Sequence, residues 1–313
     1  MSEFKEYQDH GKELINFPTE IAGIELKNPV MNAAGTCKLP EDVERLSNSE
    51  SSAIMVGSIT VESRDGNSGD VYAYLPEDRW SINSKGLPNK GIEYYKQELP
   101  LMVARAHSKE KPIFVSVAGF SPEEYVLLSQ VAFECGVDLV ELNLGCPNVW
   151  QGDKQKQIAC FNLNLVDEIL EKVEKKVGSE AKVSVKISPF SDPFTLVKVA
   201  EVIGSSKLVK AVTAVNTFPN AFGYDGKKSR ITPGGGLGGL AGPVLKPIGL
   251  GQVRQLRAIL PEHIGIMGVG GINKSEDVWE YLDSVASAVQ IATAYIEQQE
   301  KIFSSILGGY PKS

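Results

Sequence analysis

Pro112-Ile113-Phe114-Val115-Ser116-Val117-Ala118-Gly119, followed at once by Ser121-Pro122-Glu123-Glu124, sets the fold. The first run is apolar, rich in β-branched residues and of strand length. In the second, Ser121 is a helix N-cap, Pro122 takes the first helical position, where a missing N–H is harmless, and Glu124 stands where it closes a capping box. Gly136 is the kind of residue that ends such a helix, and a further apolar run follows at 139–144. The same alternation of short apolar run and amphipathic stretch recurs along the chain. Strands are expected at 29–35, 53–60, 112–119, 139–144, 182–188, 211–217, 264–270 and 288–294. Eight βα units predict an α/β fold, a closed (β/α)8 TIM barrel, because closure buries every strand edge and takes about 250 residues. No linker divides the chain, so one domain is expected over 1–313. The surplus length falls in 61–90, 147–162 and 218–244. Each follows a strand and precedes a helix, which places long loops at the C-terminal face, where barrels carry active sites.

Composition narrows the function. The 313 residues are 42% hydrophobic and 23% charged, with a net charge of -7 and no basic stripe, which disfavours nucleic acid or an anionic membrane as partner. The longest apolar runs are too short for a membrane span and the first six residues are unlike a signal peptide, so a cytoplasmic protein is expected. Four cysteines, Cys37, Cys135, Cys146 and Cys160, lack CxxC spacing. Reduced thiols and no metal site are expected. His10, His107 and His263 lie in no motif, which speaks against a zinc site or a Ser-His-Asp triad.

Chemistry concentrates at strand ends. Asn143-Leu144-Gly145-Cys146-Pro147-Asn148 places a thiol between two carboxamides just past the fourth strand, where amides can bind a planar polar ligand without adding charge. Gly270 and Gly271 close the seventh strand and Ala292 and Thr293 the eighth; in a barrel these neighbouring loops form a phosphate cup. The glycine-dense segment 234–243 reads either as a flexible lid or as backbone approaching a flat cofactor. Lys186, flanked by Val185 and Ile187, needs a partner, either an anionic ligand or Glu141. Asn216 and Thr217 end the expected sixth strand.

With these residues assembled, the chain resembles the dihydroorotate dehydrogenases, flavin-dependent barrels of pyrimidine biosynthesis, from Asn28-Pro29-Val30-Met31-Asn32-Ala33-Ala34-Gly35 to Gln290-Ile291-Ala292-Thr293-Ala294. It is most similar to the soluble class 1 enzymes, whose loop carries a Cys base where membrane-associated class 2 enzymes have Ser. The resemblance implies FMN-dependent oxidation of (S)-dihydroorotate to orotate in UMP biosynthesis. Cys146 would remove the C5 proton and the C6 hydride would pass to flavin N5. It also implies that Asn83 and the backbone at Gly86 and Leu87 hold the substrate carboxylate, and that Asn143, Asn148, Asn216 and Thr217 hold the ring. FMN contacts carry over to Ala33, Ala34, Gly35, Lys38, Ser58, Asn143, Lys186, Gly239, Gly242, Gly270, Gly271, Ala292 and Thr293. The acceptor would be fumarate, a quinone or a partner electron-transfer subunit, and a homodimer is the general expectation.

Two positions depart from the class 1 pattern. The lysine usual near the end of the second strand is missing from Met55-Val56-Gly57-Ser58-Ile59-Thr60, while Lys38 follows the first strand as in class 2. Lys85 stands where the family more often has an apolar residue, and either meets a carboxylate or points into solvent. A related flavin barrel acting on dihydropyrimidines, a non-catalytic flavin-binding protein and a barrel binding a sugar phosphate without flavin are the alternatives.

Overall fold

The computed structural model describes residues 14–151 and 154–308; His10 lies outside them. Eight strands are parallel throughout: β1 (Val30–Asn32), β2 (Ile54–Ile59), β3 (Ile113–Val117), β4 (Leu139–Asn143), β5 (Val183–Ile187), β6 (Val209–Ala214), β7 (Gly265–Val269) and β8 (Ala288–Ile291). Their order is β1-β8-β7-β6-β5-β4-β3-β2. Each strand is followed by a helix: α1 (Pro40–Ser47), α2 (Ile92–His107), α3 (Pro122–Glu134), α4 (Leu163–Val177), α5 (Pro193–Ser205), α6 (Lys246–Ile259), α7 (Ser275–Asp283) and α8 (Thr293–Gln298); α9 (Lys301–Leu307) ends the described chain. This is the expected (β/α)8 barrel.

The seam between β1 and β2 is closed by a side chain. The Asn32 amide donates to the Met55 carbonyl at 2.8 Å, and its oxygen accepts from the Met55 N–H at 2.9 Å, so a carboxamide stands in for a backbone rung. Asn32→Ala leaves both Met55 groups buried and unpaired. A loss of roughly 2–4 kcal/mol is expected, read as a lower denaturant midpoint at unchanged slope.

The barrel interior follows from the period-two alternation of strand side chains. Outward Val30, Val56, Val115, Val140, Val185, Val212 and Val289 join the helix layer. Inward Met31, Met55, Phe114, Leu139, Ala211, Met267 and Ala288 pack at the N-terminal end on Ile21, Ile24 and Leu26. Those three belong to an antiparallel hairpin, Thr19–Ile21 with Ile24–Leu26, that plugs the barrel floor. Above that apolar layer the inward side chains turn polar: Ser116, Glu141, Asn143, Ser184, Lys186, Thr213 and Gln290 are all buried.

The expected cap of α3 forms: Ser121 Oγ accepts from the Glu124 N–H. The Glu124 carboxylate reaches back one residue further than a capping box requires, to the Phe120 N–H at 2.7 Å.

The long loops correct the sequence reading in two places. The sixth strand ends at Ala214, so Asn216 and Thr217 lie beyond it in the connection. The glycine-dense segment is not a loose lid. Gly238–Ala241 is a strand between Phe218–Ala221 and Trp80–Asn83, and Tyr72–Leu75 completes a four-stranded antiparallel sheet. Ladder partners remote in sequence override the weak strand preference of glycine. Among the described residues no helix is long and apolar enough to cross a membrane, and no cluster of three or more His, Cys, Asp or Glu could hold a metal ion.

Candidate active site

Two adjoining cavities open at the C-terminal ends of the strands. Ala34, Asn216, Thr217, Ala241, Ala292 and Thr293 border both. The first cavity is lined by Ala33, Lys186, Gly242, Gly270 and Gly271 as well, and the second by Gly35, Lys38, Ser58, Asn83, Gly86, Leu87, Asn143, Cys146 and Asn148. The structure therefore brings together every candidate residue from the sequence except Gly239, which lines neither cavity. Its carbonyl accepts from Asn83 at 3.4 Å in the adjoining strand. Gly35, Lys38 and Ser58 fall on the Cys146 side, away from Gly270 and Gly271.

The carboxamides are paired. Asn148 donates to Asn83 at 2.9 Å, and Asn216 donates to Asn143 at 3.0 Å, while Asn143 donates to Ser58 at 2.9 Å. Ser58 in turn bonds Ser116 at 2.8 Å. These groups hold one another in place with bonds that a planar ligand can exchange for its own. Asn67, which nothing in the sequence singled out, braces the cluster by donating to the Ser84 carbonyl at 2.8 Å and the Asn148 carbonyl at 3.1 Å. Its signal was faint, since a loop Asn usually serves its own turn.

Cys146 stands between the second cavity and a smaller one lined by Ala118, Phe120, Tyr125 and Lys156. Gly145 permits this placement: a Cβ there would come within 2.6 Å of the Ser188 nitrogen and 2.7 Å of the Ile187 carbonyl carbon. Only a bare backbone passes so close to the end of β5. Burial pushes the Cys146 thiol up from its ordinary value, and the Asn148 backbone N–H with the charges of Lys156, Arg64 and Lys186 draws it part of the way back.

Below the cavities, four strands meet in one buried network. Lys186 of β5 donates to Gln290 of β8 at 3.0 Å; Gln290 and Thr213 of β6 donate to the same oxygen of Glu141 of β4 at 3.0 and 2.8 Å. Lys186 Nζ lies 3.9 Å from the other carboxylate oxygen, which has no hydrogen-bond partner among the described residues. Both sequence readings of Lys186 thus have a structural counterpart, because it faces Glu141 and also lines the first cavity. Gln290 and Thr213 were missed. Their signal was a polar residue alternating with apolar ones in a strand, which marks the interior but not the partner.

Gly57 accounts for the missing lysine. Its φ is +106°, and a Cβ there would overlap the Ser116 carbonyl oxygen, so this backbone accepts no side chain at that position. The cavity has lysines from elsewhere. Lys38 donates to the Pro88 carbonyl at 2.5 Å, and Lys85 Nζ lies 5.3 Å from the centre of the Tyr72 ring.

Comparison with known proteins agrees with this geometry. The family model for dihydroorotate dehydrogenase matches residues 17–312. The dihydroorotate dehydrogenase A (fumarate) of Lactococcus lactis subsp. lactis is 33% identical over 297 residues, covering 92% of this chain and 91% of that protein. A Streptococcus agalactiae relative is 33% identical over 299 residues, covering 94% and 92%. The crystal structure of DHODH from Eimeria tenella in complex with ferulenol has a TM-score of 0.78 at 19% identity, covering 96% of this chain and 85% of that one, a likeness of fold. A barrel of this topology, matched along nearly its full length by that family's model, belongs to the dihydroorotate dehydrogenase family, on its class 1 side.

Proposed function

We propose that this chain oxidises dihydroorotate to orotate on bound FMN, with Cys146 as the base and fumarate, by analogy with the Lactococcus relative, as electron acceptor. One observation carries the reading: the cavity that holds the Cys146 thiol also holds Asn83, Asn143, Asn148 and Asn216 and runs into the cavity of Gly270, Gly271 and Lys186. A cyclic imide offers donors and acceptors that four carboxamides match without ionising. The first cavity fits FMN in kind. Thr217 Oγ1 is buried on its border without a hydrogen-bond partner among the described residues, and a lysine at 4% exposure supplies positive charge on its floor.

FMN, when bound, supplies the acceptor for the hydride leaving C6. Cys146, as thiolate, removes the C5 proton. Asn83 and Asn148 give up their mutual bond to the substrate, as do Asn143 and Asn216, and the scaffold that held them preserves their orientation. Lys186, which lines the first cavity, would help hold the flavin and would supply positive charge beside it as it is reduced.

The test is anaerobic titration of the purified yellow protein. Dihydroorotate should bleach the flavin and fumarate restore it, whereas dihydrouracil should do neither. Bleaching by dihydrouracil alone would move the chain to dihydropyrimidine chemistry, and a colourless protein that takes up no FMN would sink the flavin reading altogether.

A further inference from the structure

Lys85 and Lys38 enter the Cys146 cavity from different elements, one following the strand Trp80–Asn83 and the other following β1. Among the described residues, no Asp or Glu lines that cavity. The acidic groups nearby are engaged elsewhere. Glu297 accepts from Tyr72 OH at 2.8 Å and lines the neighbouring cavity, and Asp42 accepts from the Lys38 and Leu39 N–H groups at 2.8 and 3.0 Å and pairs with Arg45. Lys38 is tethered to the Pro88 carbonyl. Lys85 has a ring face and no carboxylate partner among the described residues. Two half-buried ammonium groups lining one cavity are unfavourable until an anion joins them. Burial lowers the pKa of both lysines; the charge of Lys85 lowers that of Lys38 further and Asp42 draws it part of the way back, whereas burial of Lys85 meets no such compensation.

We propose that Lys85 sets the charge class of the substrate, its ammonium group pairing with the ligand carboxylate in the Cys146 cavity so that a carboxylated ring is taken and a neutral one refused. This rests on the dihydroorotate reading and adds a residue to it: Asn83 orients the carboxylate, and Lys85 supplies the charge that makes it necessary. A neutral ring would gain nothing from the half-buried Lys85 ammonium, so selection works by rewarding the ligand that carries the matching charge.

The experiment compares equilibrium binding of orotate and of uracil, its decarboxylated counterpart, to the FMN-loaded wild-type protein and to Lys85→Met, with FMN content and circular dichroism confirming that the variant is folded. Wild type should prefer orotate. In the variant, orotate affinity should fall roughly 10- to 100-fold with uracil affinity little changed, and KM for dihydroorotate should rise far more than kcat falls. Lys85→Arg should recover part of the orotate affinity. If orotate and uracil weaken together, or if the preference survives in Lys85→Met, the assignment is overturned while the dihydroorotate reading stands. A wild type that binds neither compound overturns both.

Discussion

Cys146→Ala is expected to slow flavin reduction by dihydroorotate by about 10²- to 10⁴-fold while the protein stays folded and yellow, because only the proton acceptor is lost. Stopped-flow reduction under anaerobic conditions measures that step apart from reoxidation. The thiol carries its own pH signature. Burial raises its pKa, so the thiolate is a minor species at neutral pH and the wild-type rate should climb about tenfold per pH unit through the neutral and mildly alkaline range. The alanine variant should lose that slope. Substrate affinity should move the opposite way, since Lys38, lowered to about 8 by burial and by Lys85, sheds its charge above that pH and binds an anion less well. The profile of kcat should therefore rise where KM also rises. A full reduction rate in Cys146→Ala would remove the thiol from the mechanism.

Lys186→Met is expected to destabilise the fold by roughly 3–5 kcal/mol, the usual consequence of stranding a buried charge. Glu141 is 0% exposed, and among the described residues one of its oxygens has no hydrogen bond, with the Lys186 ammonium at 3.9 Å. Thr213 and Gln290 satisfy the other oxygen and cannot neutralise the group. Replacing the partner as well, in Lys186→Met with Glu141→Gln, should recover most of the loss, because the neutral amide keeps the shape and drops the charge. Denaturant midpoints of the two single variants and the double variant close the cycle. If Lys186→Met alone unfolds at the wild-type midpoint, the buried pair contributes nothing to stability.

The local features of the chain were readable because their causes are local. β-branched runs, the Ser121-Pro122 cap and Gly136 act within a few residues, so the eight strand positions emerge with shifts only at their ends. The thiol between Asn143 and Asn148 was legible for the same reason, since strand, motif and loop are contiguous. The glycine-dense segment was not, because nothing within it favours a strand; Ser81 to Asn83, more than 150 residues earlier, supply the ladder. Nothing in the sequence singled out Asn32, and only the approach of β2 to β1 made it the rung that closes the barrel.

The sequence by itself determined the repeating unit, the barrel, and the thiol and carboxamides at its strand ends, since periodicity, capping and motif spacing are short-range properties. The tertiary structure alone decided which polar interior residues meet. Glu141, Lys186, Thr213 and Gln290 come from four strands, and their contact depends on closure and register, which no single segment encodes. It also decided that position 57 admits no side chain and that Lys38 and Lys85 share the cavity, because the steric clash with Ser116 and the convergence of two loops exist only after the chain has folded.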